Sequence, residues 1–241
     1  MKEGPLVASV GGSLLNCEAK PGIITFNTSF IGELAQLFKE RAELPHFKAF
    51  IVCGGGLLAR AAIKLALSQG VTDHTDLDTL GIEQTHVNAR EVTQQLTKAG
   101  LDTQYVKSWQ EMPNERANLH VLVTGGDVSG HTTDYVAVEI AEQQHQKTVI
   151  NVSRGAFLFR PNPDGTPDVS KPIINMTWSE FFDTFEYVIY RPGLNFPVDP
   201  VAARAANNAG IGMVCFDGNT LEDLRKYLNT GAITGTQLRA E

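Results

Sequence analysis

No long hydrophobic run occurs in the 241-residue sequence. A membrane-spanning helix needs about 18 consecutive apolar residues, and the apolar stretch near the N-terminus is interrupted by Gly11 and Gly12 after a few residues. The same stretch is too short for a secretion signal. We therefore expect no membrane partner.

The sequence also has few cysteines, and its histidines form no recognisable pattern. Cys17, Cys53 and Cys215 are odd in number and far apart, so they indicate neither a disulfide framework nor a CxxC metal pair. We interpret them as reduced thiols of a cytoplasmic protein. The six histidines show no ligand spacing. The sequence therefore predicts no structural zinc, and we assign no residue as a metal ligand.

Runs of basic residues are absent. Lysine and arginine number 20 against 27 aspartates and glutamates, which gives a formal net charge of −7. Most of this surface would repel a nucleic-acid backbone, so we expect no nucleic-acid partner. A nucleotide is still a possible ligand, because a few backbone N–H groups and one arginine can bind phosphates inside a cleft.

Two common phosphate-binding motifs are missing. The sequence has no GxxxxGK[ST] motif, and no GxGxxG opens a helix after the first predicted strand. Their absence argues against a P-loop enzyme and against a dinucleotide site. Any phosphate chemistry must therefore use another arrangement of glycines.

What the sequence does contain is a repeated alternation of a β-rich run, a glycine turn and an amphipathic segment. The predicted strands are Leu6–Val10, Ala49–Cys53, 104–107, 120–124, 148–152 and 213–216, with 187–190 as a further candidate. The predicted helices are 30–41, one ending at Gly70, 75–99, one starting near Thr133, one from Asp199-Pro200 to Gly210, and one from 220 to Gly231. The proline-rich segment 159–172 is expected to be a hairpin or an ordered loop.

This alternation predicts an α/β fold, a three-layer αβα sandwich with a central, mostly parallel sheet. Hydrophobic residues make up 42% of the chain, enough for a sizeable core. We see no linker long enough to separate independent domains. We therefore expect a single domain over residues 1–241.

Three glycine clusters follow predicted strands: Gly11-Gly12, Gly54-Gly55-Gly56 and Gly125-Gly126. In parallel sheets ligands bind at the carboxyl ends of strands. One such turn is usually only a turn, but three favour a phosphate-handling cleft. Adjacent glycines remove every Cβ, so an anion can approach the peptide N–H groups. Arg60, about one helical turn further on, could close on the same anion, or could simply be a solvated surface arginine.

Five segments of the sequence carry a more specific pattern. They are Val10-Gly11-Gly12-Ser13-Leu14-Leu15; the segment 53–60 (CGGGLLAR); the segment 78–89, of the form D-x-x-G-(hydrophobic)-x-x-T-x-x-N; the segment 125–134 (GGDVSGHTTD); and the segment 198–204 (VDPVAAR). With the closing Gly235-Thr236 they occur in the order found in the amino-acid-kinase superfamily. The chain resembles its archaeal-type uridylate (UMP) kinases from residue 6 to about 238.

The resemblance implies roles for the acceptor half, about residues 1–140. Gly54, Gly55, Gly56 and Arg60 would hold the phosphate of UMP, and Asp78 would accept hydrogen bonds from the ribose hydroxyls. Thr132 and Thr133 would donate to the phosphate or base, while Asp134 would cap the following helix. The alternatives are a helix N-cap at Asp78 and a plain capping cluster at residues 132–134.

It also implies roles for the donor side and for the ATP-binding half, about residues 141–241. Gly11, Gly12 and Ser13 would donate N–H groups to the donor phosphates, and Asp199 would organise the catalytic centre, acting through Mg²⁺. Asp199 also fits a helix N-cap before Pro200. The catalytic assignments are Asp199, Arg60, Gly12 and Ser13. The ATP-side segment supplies Asn151, Ser153, Arg154, Phe157 and Arg160.

The chain departs from the family pattern at three positions. Ser9 stands where most members have a lysine, and Ser153 and Arg160 stand where acidic residues are usual. A preorganised cation on the phosphates is typically worth about 3–4 kcal/mol. We hypothesise that Arg154 or Arg160 supplies the missing charge; the alternative is that both are solvated loop arginines.

The function implied is transfer of the ATP γ-phosphoryl group to UMP. Two alternatives are left open: a kinase of the same fold for another small phosphate, carbamate or acid, and a nucleotide- or oxoanion-binding protein that has lost catalysis. The resemblance also implies a homo-oligomer, plausibly a hexamer, with the early helices at the subunit contacts.

Overall fold

The alternating apolar runs form one eight-stranded sheet in the computed structural model of the protein, which describes residues 4–44, 46–111, 119–162, 164, 166–185 and 198–241. Numbered in chain order, the strands of this sheet are β1 (Leu6–Val10), β4 (Ala49–Cys53), β5 (Thr103–Tyr105), β6 (Val121–Thr124), β7 (Thr148–Ser153), β10 (Asn175–Thr177), β11 (Gly212–Asp217) and β12 (Gln237–Arg239). Two hairpins lie outside it, β2 (Asn16–Lys20) with β3 (Ile23–Phe26) and β8 (Leu158–Pro161) with β9 (Pro167–Ile173).

The strand order is β10-β12-β11-β7-β1-β4-β6-β5. The six strands from β11 to β5 are parallel, whereas β12 runs antiparallel to β11 and pairs in parallel with β10. The α/β interpretation with a mostly parallel sheet is therefore confirmed.

Helices cover both faces of the sheet. They are α1 (Gly12–Leu15), α2 (Thr28–Ala42), α3 (Gly56–Ser68), α4 (His74–Lys98), α5 (Thr133–Gln143), α6 (Trp178–Thr184), α7 (Pro200–Asn208) and α8 (Glu222–Thr230). None of the helices in the described part of the chain is both long enough and apolar enough to cross a membrane.

Alternation along the strands explains the layering, because successive side chains point to opposite faces. Val10 contributes to a core shared with residues of α2, α4 and α8, including Leu34 and Val92. Val7 contributes to the core on the other face, shared with residues of α5, α6 and α7 such as Ile140. Ser9 has the same parity as Val7 and therefore faces the α5 layer.

Predicted helix boundaries are confirmed where the sequence supplied a cap. The Asp199 side chain accepts a hydrogen bond from the N–H of Ala202, with Pro200 at the first helical position of α7. Gly231 ends α8 with φ 75°, a conformation that glycine adopts without strain. The proline-rich segment forms the β8–β9 hairpin, as expected.

Several elements differ from the sequence-based prediction. The β2–β3 hairpin, the edge strand β10, its neighbour β12 and helix α6 were not predicted, and β5 begins and ends slightly earlier than the expected 104–107. These strands are short, and β2, β3 and β10 lack the continuous burial that marks the central ones. The strand candidate at 187–190 lies outside the described residues.

Candidate active site

Three glycine loops lie side by side at one edge of the sheet. The first loop (residues 11–13) follows β1, the second (54–56) follows β4 and the third (125–126) follows β6. These three strands are neighbours and parallel, so their carboxyl ends meet at the same edge. The expected convergence of the loops is therefore present.

The first and second loops are in direct backbone contact. A Cβ on Gly12 would lie 2.1 Å from the nitrogen of Gly56 and 2.5 Å from the oxygen of Gly54. A Cβ on Gly56, whose φ is +61°, would lie 2.1 Å from the oxygen of Gly12. Glycine is thus required here by the contact between two protein backbones, whatever else approaches them.

Two of the expected N–H donors are already used inside the protein. The N–H of Gly11 donates to the Val152 oxygen at 2.8 Å, and the N–H of Gly54 donates to the Val10 oxygen at 2.9 Å. Each of these N–H groups completes the hydrogen bonding between adjacent strands, and the assignments of Gly11 and Gly54 to the phosphate sites remain proposals. The assignments of Gly12, Ser13, Gly55 and Gly56 as donors remain proposals.

Helix α4 fixes the second loop through a buried amide. Asn88 Nδ2 donates to the Gly54 oxygen at 2.7 Å and to the Gly55 oxygen at 3.2 Å. Its Oδ1 accepts from Asn16 Nδ2 at 2.8 Å, and both asparagines are fully buried. Since Asn16 directly follows α1, this pair joins the segment after the first loop to the second loop.

The same face of α4 fixes the third loop. The Thr85 hydroxyl accepts the N–H of Gly126 at 2.7 Å and donates to the Ile82 oxygen at 2.6 Å. A Cβ on Gly125 would lie 2.3 Å from the Thr85 oxygen. Thr85 and Asn88 are three residues apart and share one helix face. One helix thereby sets the positions of two glycine loops.

Asp78 holds the segment that follows the third loop. Its Oδ2 accepts from the Gly130 N–H at 2.8 Å and from the Ser129 hydroxyl at 3.0 Å. The alternative that Asp78 is a helix N-cap is wrong, because Asp73 occupies that position of α4 and accepts from Thr75 and Asp76. A ribose contact for Asp78 remains a proposal.

Arg60 lies in the second turn of α3, the helix that begins within the second loop. The residue is exposed, and the described residues form no ion pair with it. Helices α3 and α4 pack against each other, so Arg60 and Asp78 belong to adjacent elements at the same edge of the sheet.

A half-buried carboxylate lies beside the first loop. Asp134, at the start of α5, accepts from the Ser9 hydroxyl at 2.5 Å and from Asn151 Nδ2 at 3.1 Å. Ser9 and Asn151 are paired residues of β1 and β7 and face the same helix layer. The expectation that Asp134 caps α5 is wrong: Thr132 is the N-cap, and its hydroxyl accepts the N–H of Tyr135.

Asp134 is close to a second carboxylate, that of Asp199. Burial raises the pKa of Asp134 to about 6, and the Asp199 charge adds to this effect, while hydrogen bonds from Ser9, Asn151 and the Asp199 backbone oppose it. The Asp199 Oδ2 accepts from the Thr132 hydroxyl at 2.8 Å. The hydroxyl of Thr132, which was expected to donate a hydrogen bond to the substrate, thus donates one to Asp199 in this structure.

Two oxygen atoms at this centre are buried and receive no hydrogen bond from any described residue: Oδ1 of Asp199 and Oδ1 of Asn151. Asn151, assigned to ATP binding from the sequence, is only 4% exposed, and its amide is directed at Asp134. Carboxylate and amide oxygens are the donors that Mg²⁺ prefers. The residues present therefore fit the expected metal ion.

The two candidate arginines differ in position. Arg154 Nη2 donates to the Ser13 oxygen at 3.0 Å, which brings its guanidinium to the first loop. Arg154 also lines a surface cavity with Asn27 and Asn219. Arg160 is exposed on β8. Of the remaining ATP-side residues, Ser153 donates to the Gly155 oxygen and Phe157 is half-buried.

A separate mixed cluster lies along the start of α5. His131 Nδ1 lies 3.2 Å from both carboxylate oxygens of Asp127. Ligand atoms of Asp127, His131 and Glu139 lie within 4.8 Å of one another. Histidine spacing alone did not suggest this set, because two of its members are acidic.

Sequence reasoning assigned no structural role at the site to four residues that have one: Asn16, Thr85, Asn88 and Ser9. For Ser9, that role is its hydrogen bond to Asp134. Thr85 and Asn88 stand at fixed positions of the recognised helix motif, and that was the available signal. Asn16 carries no local pattern, and only the fold brings it to Asn88.

Comparison with known proteins identifies the family of the chain. The model of the amino acid kinase family matches residues 4–217, and the chain belongs to this family. Among its relatives, a uridylate kinase of Natronomonas pharaonis is 28% identical over 97% of both chains. A uridylate kinase of Methanococcoides burtonii is 26% identical, again over 97% of both.

Solved structures extend the comparison. The crystal structure of uridylate kinase from Archaeoglobus fulgidus superposes with a TM-score of 0.69 at 25% identity, covering 97% of this chain and all of that one. UMP kinase from Bacillus anthracis gives a TM-score of 0.76 at 17% identity, over 99% of this chain and 96% of that one. The second likeness bears on the fold alone. The resemblance drawn from the sequence is confirmed.

Proposed function

We propose that this protein is an ATP-dependent UMP kinase that transfers the γ-phosphoryl group of ATP to UMP. The observation that carries the proposal is the convergence of three glycine loops at one edge of the sheet: Asn88 and Thr85 of α4 hold the second and third loops, and the first packs directly on the second. Relatives named uridylate kinase align with almost the whole chain, so the resemblance is not confined to the glycine loops.

The acceptor side is formed by the second loop, α3 and the segment after the third loop. In the proposed complex, Gly55 and Gly56 present backbone N–H groups to the UMP phosphate and Arg60 adds its guanidinium. Asp78 already orders Ser129 and Gly130, and its carboxylate also accepts from the ribose. Thr133 faces the same ligand.

The donor side is formed by the first loop and the end of β7. Gly12 and Ser13 contact the donor phosphates, and Arg154, anchored on the Ser13 oxygen, supplies positive charge that a lysine at position 9 would otherwise give. Ser153 and Phe157 border the nucleotide. Arg160 is the less favoured of the two arginines, because no contact places it at the first loop.

Phosphoryl transfer needs in-line placement of donor and acceptor and neutralisation of charge on the transferred group. Mg²⁺, when bound, neutralises phosphate charge. The chain contributes the rigid contact between Gly12 and Gly56, which fixes the separation of the two phosphate sites. Arg60 and Arg154 contribute charge from the acceptor and donor sides.

We further propose that the protein acts as a cytoplasmic homo-oligomer. Helix α3 leaves Leu65 and Leu67 60% and 51% exposed, although both are large apolar residues. Covering these two side chains with further copies of the chain would remove them from water; a hexamer is one assembly that would do so. The three free cysteines suit a reducing compartment. We also retain the single domain 1–241, with acceptor and donor halves meeting near residue 140.

The test is ADP release from ATP, with Mg²⁺ present and UMP, CMP, isopentenyl phosphate or carbamate as acceptor. We expect turnover with UMP to exceed that with the two non-nucleotides by at least about 10²-fold, because the site must pair with ribose and base. Equal or higher turnover with a non-nucleotide would reassign the acceptor. Tight binding of UMP and ATP without turnover would indicate a binding protein that has lost catalysis.

Arg60→Ala tests the acceptor assignment. We expect a rise in KM for UMP of about 10-fold or more, as for loss of a charged hydrogen bond, with little change in KM for ATP. Arg239→Ala removes another exposed arginine, on β12, and serves as the control. Equal effects of the two substitutions would contradict the role of Arg60.

A further inference from the structure

The half-buried carboxylates beside the first loop form an oxygen cluster with two buried polar residues, which we define as Asp134, Asp199, Asn151 and Ser9. Asp134 receives hydrogen bonds from the other three members. All four residues come from different elements: β1, the start of α5, β7 and the residue preceding α7. Only the folded chain assembles this cluster.

The part of the chain that the structure describes gives the cluster no ion-pair partner. Within the described residues, no lysine, arginine or histidine forms an ion pair with Asp134 or Asp199. Buried charges in proteins are normally paired or bound to a metal. Two neighbouring, half-buried carboxylates repel each other when both are charged, and a cation between them would relieve that repulsion.

An independent observation points to a ligand. Asn151 is 4% exposed, and its Oδ1 has no hydrogen-bond donor, although the Nδ2 of the same amide is bonded to Asp134. The Oδ1 of Asp199 is also buried without a donor. Both atoms are acceptors, so the missing partner is a cation or a donor rather than an anion.

We propose that the oxygen cluster is a protein-held site for a divalent hard cation, Mg²⁺ or Mn²⁺, that is occupied before any nucleotide binds. Asp134, Asp199 Oδ1 and Asn151 Oδ1 are its ligands. Carboxylate and amide oxygens select hard cations over zinc or copper, which favour nitrogen and sulfur. This departs from the expectation that the chain supplies no metal ligand.

The site explains how the protein tolerates serine at position 9. Ser9 lies two residues before the first loop and donates to Asp134, so a cation held there stands next to the donor phosphates. The bound cation would supply the positive charge that a lysine at position 9 supplies in most family members. This explanation of Ser9 rests on the proposed kinase function. The proposal that the metal binds to the nucleotide-free protein does not depend on that function.

The test uses Mn²⁺ as the probe, added to the purified full-length protein without nucleotide. Electron paramagnetic resonance of free Mn²⁺ reports how much is bound. We expect one Mn²⁺ per chain, displaced by excess Mg²⁺. Absence of bound Mn²⁺ would overturn the proposal, whether or not the protein phosphorylates UMP, and inactivity toward UMP would leave the metal result standing.

Variants locate the site. Asp134→Asn and Asp199→Asn keep side-chain shape and remove one charge, and each is expected to weaken Mn²⁺ binding by about 10–100-fold or more. Ser9→Lys places an ammonium group against Asp134 and is expected to abolish Mn²⁺ binding. Circular dichroism checks that each variant is folded.

The competing location is the cluster of Asp127, His131 and Glu139. Asp127→Asn is the matched control and should leave Mn²⁺ affinity within about twofold of wild type, since Asp127 supplies no ligand to the oxygen cluster. Pulsed paramagnetic resonance on the unmutated protein gives a reading that does not depend on variant folding. Nitrogen coupling from a coordinated imidazole, or loss of binding in Asp127→Asn alone, would overturn the proposal.

Discussion

The contact between the first and second glycine loops predicts that Gly12→Ala is severely disruptive. The new Cβ would lie 2.1 Å from the Gly56 nitrogen and 2.5 Å from the Gly54 oxygen. Ordinary contacts begin near 3.5 Å, so the loops must separate by about 1 Å. Both are rigid, because Asn88 holds Gly54 and Gly55 from behind.

The magnitude follows from this geometry. Overpacking typically costs about 1–3 kcal/mol, and two fixed backbones place Gly12→Ala at the upper end. About 3 kcal/mol lowers the melting temperature of a chain of this size by about 6–12 °C. A misplacement of about 1 Å between reacting groups lowers kcat by about 10²-fold. Thermal unfolding and UMP-dependent ADP release measure the two effects.

The neighbouring Gly11→Ala is the matched control for stability. A Cβ on Gly11 would have its nearest contacts at 3.4–3.5 Å, with Val152 and Ser153, and its φ of −57° suits any residue. We expect a change in unfolding free energy within about 1 kcal/mol. Wild-type melting temperature and activity in Gly12→Ala would refute the reasoning, as would equal destabilisation by the two substitutions.

Three further predictions follow from the structure. Asn88→Ala removes the hydrogen bonds that Asn88 makes with the Gly54 oxygen and with Asn16 Nδ2 and should lower the free energy of unfolding by about 3 kcal/mol in urea titrations; a loss below about 1 kcal/mol would contradict the role of Asn88 in holding the second loop. Arg154→Ala should lower kcat/KM for ATP by about 10²-fold and Arg160→Ala by less than about threefold, whereas wild-type rates in both would sink the arginine hypothesis. Burial, reinforced by the charge of Arg90, lowers the pKa of His86 from its ordinary 6.5. The unfolded chain therefore binds the proton more tightly, and the free energy of unfolding falls as pH drops below about 6.5. His86→Gln should reduce this loss in unfolding curves measured between pH 5 and 8, and an unchanged pH dependence would contradict the prediction.

The central fold was accessible from the sequence because its strands are short, continuously apolar and bounded by glycine. β1 and β4 were predicted with the bounds they have, and capping residues marked the start of α7 and the end of α8. The β2–β3 hairpin and β10 were missed since they have few buried residues and no alternation clear enough to distinguish them from loops.

The site was accessible only in part. Motif spacing located the three glycine loops and the helix that holds them, but it assigned the glycines to anion contact alone. Their packing against each other, as at Gly12 and Gly56, depends on strand order, which local sequence does not encode. The position of Asp134 also depends on strand order. The sequence suggested that Asp134 caps a helix, whereas in the fold its carboxylate accepts a hydrogen bond from Ser9 of a central strand.

The central claim is that the glycine-loop site passes a phosphoryl group directly from ATP to UMP. Phosphorus-31 nuclear magnetic resonance of the purified protein with ATP, UMP and Mg²⁺ measures this transfer itself. We predict that the γ-phosphorus signal of ATP declines while signals of ADP and UDP grow in equal amounts. Unchanged spectra, or conversion of ATP to ADP and inorganic phosphate without UDP, would contradict the account.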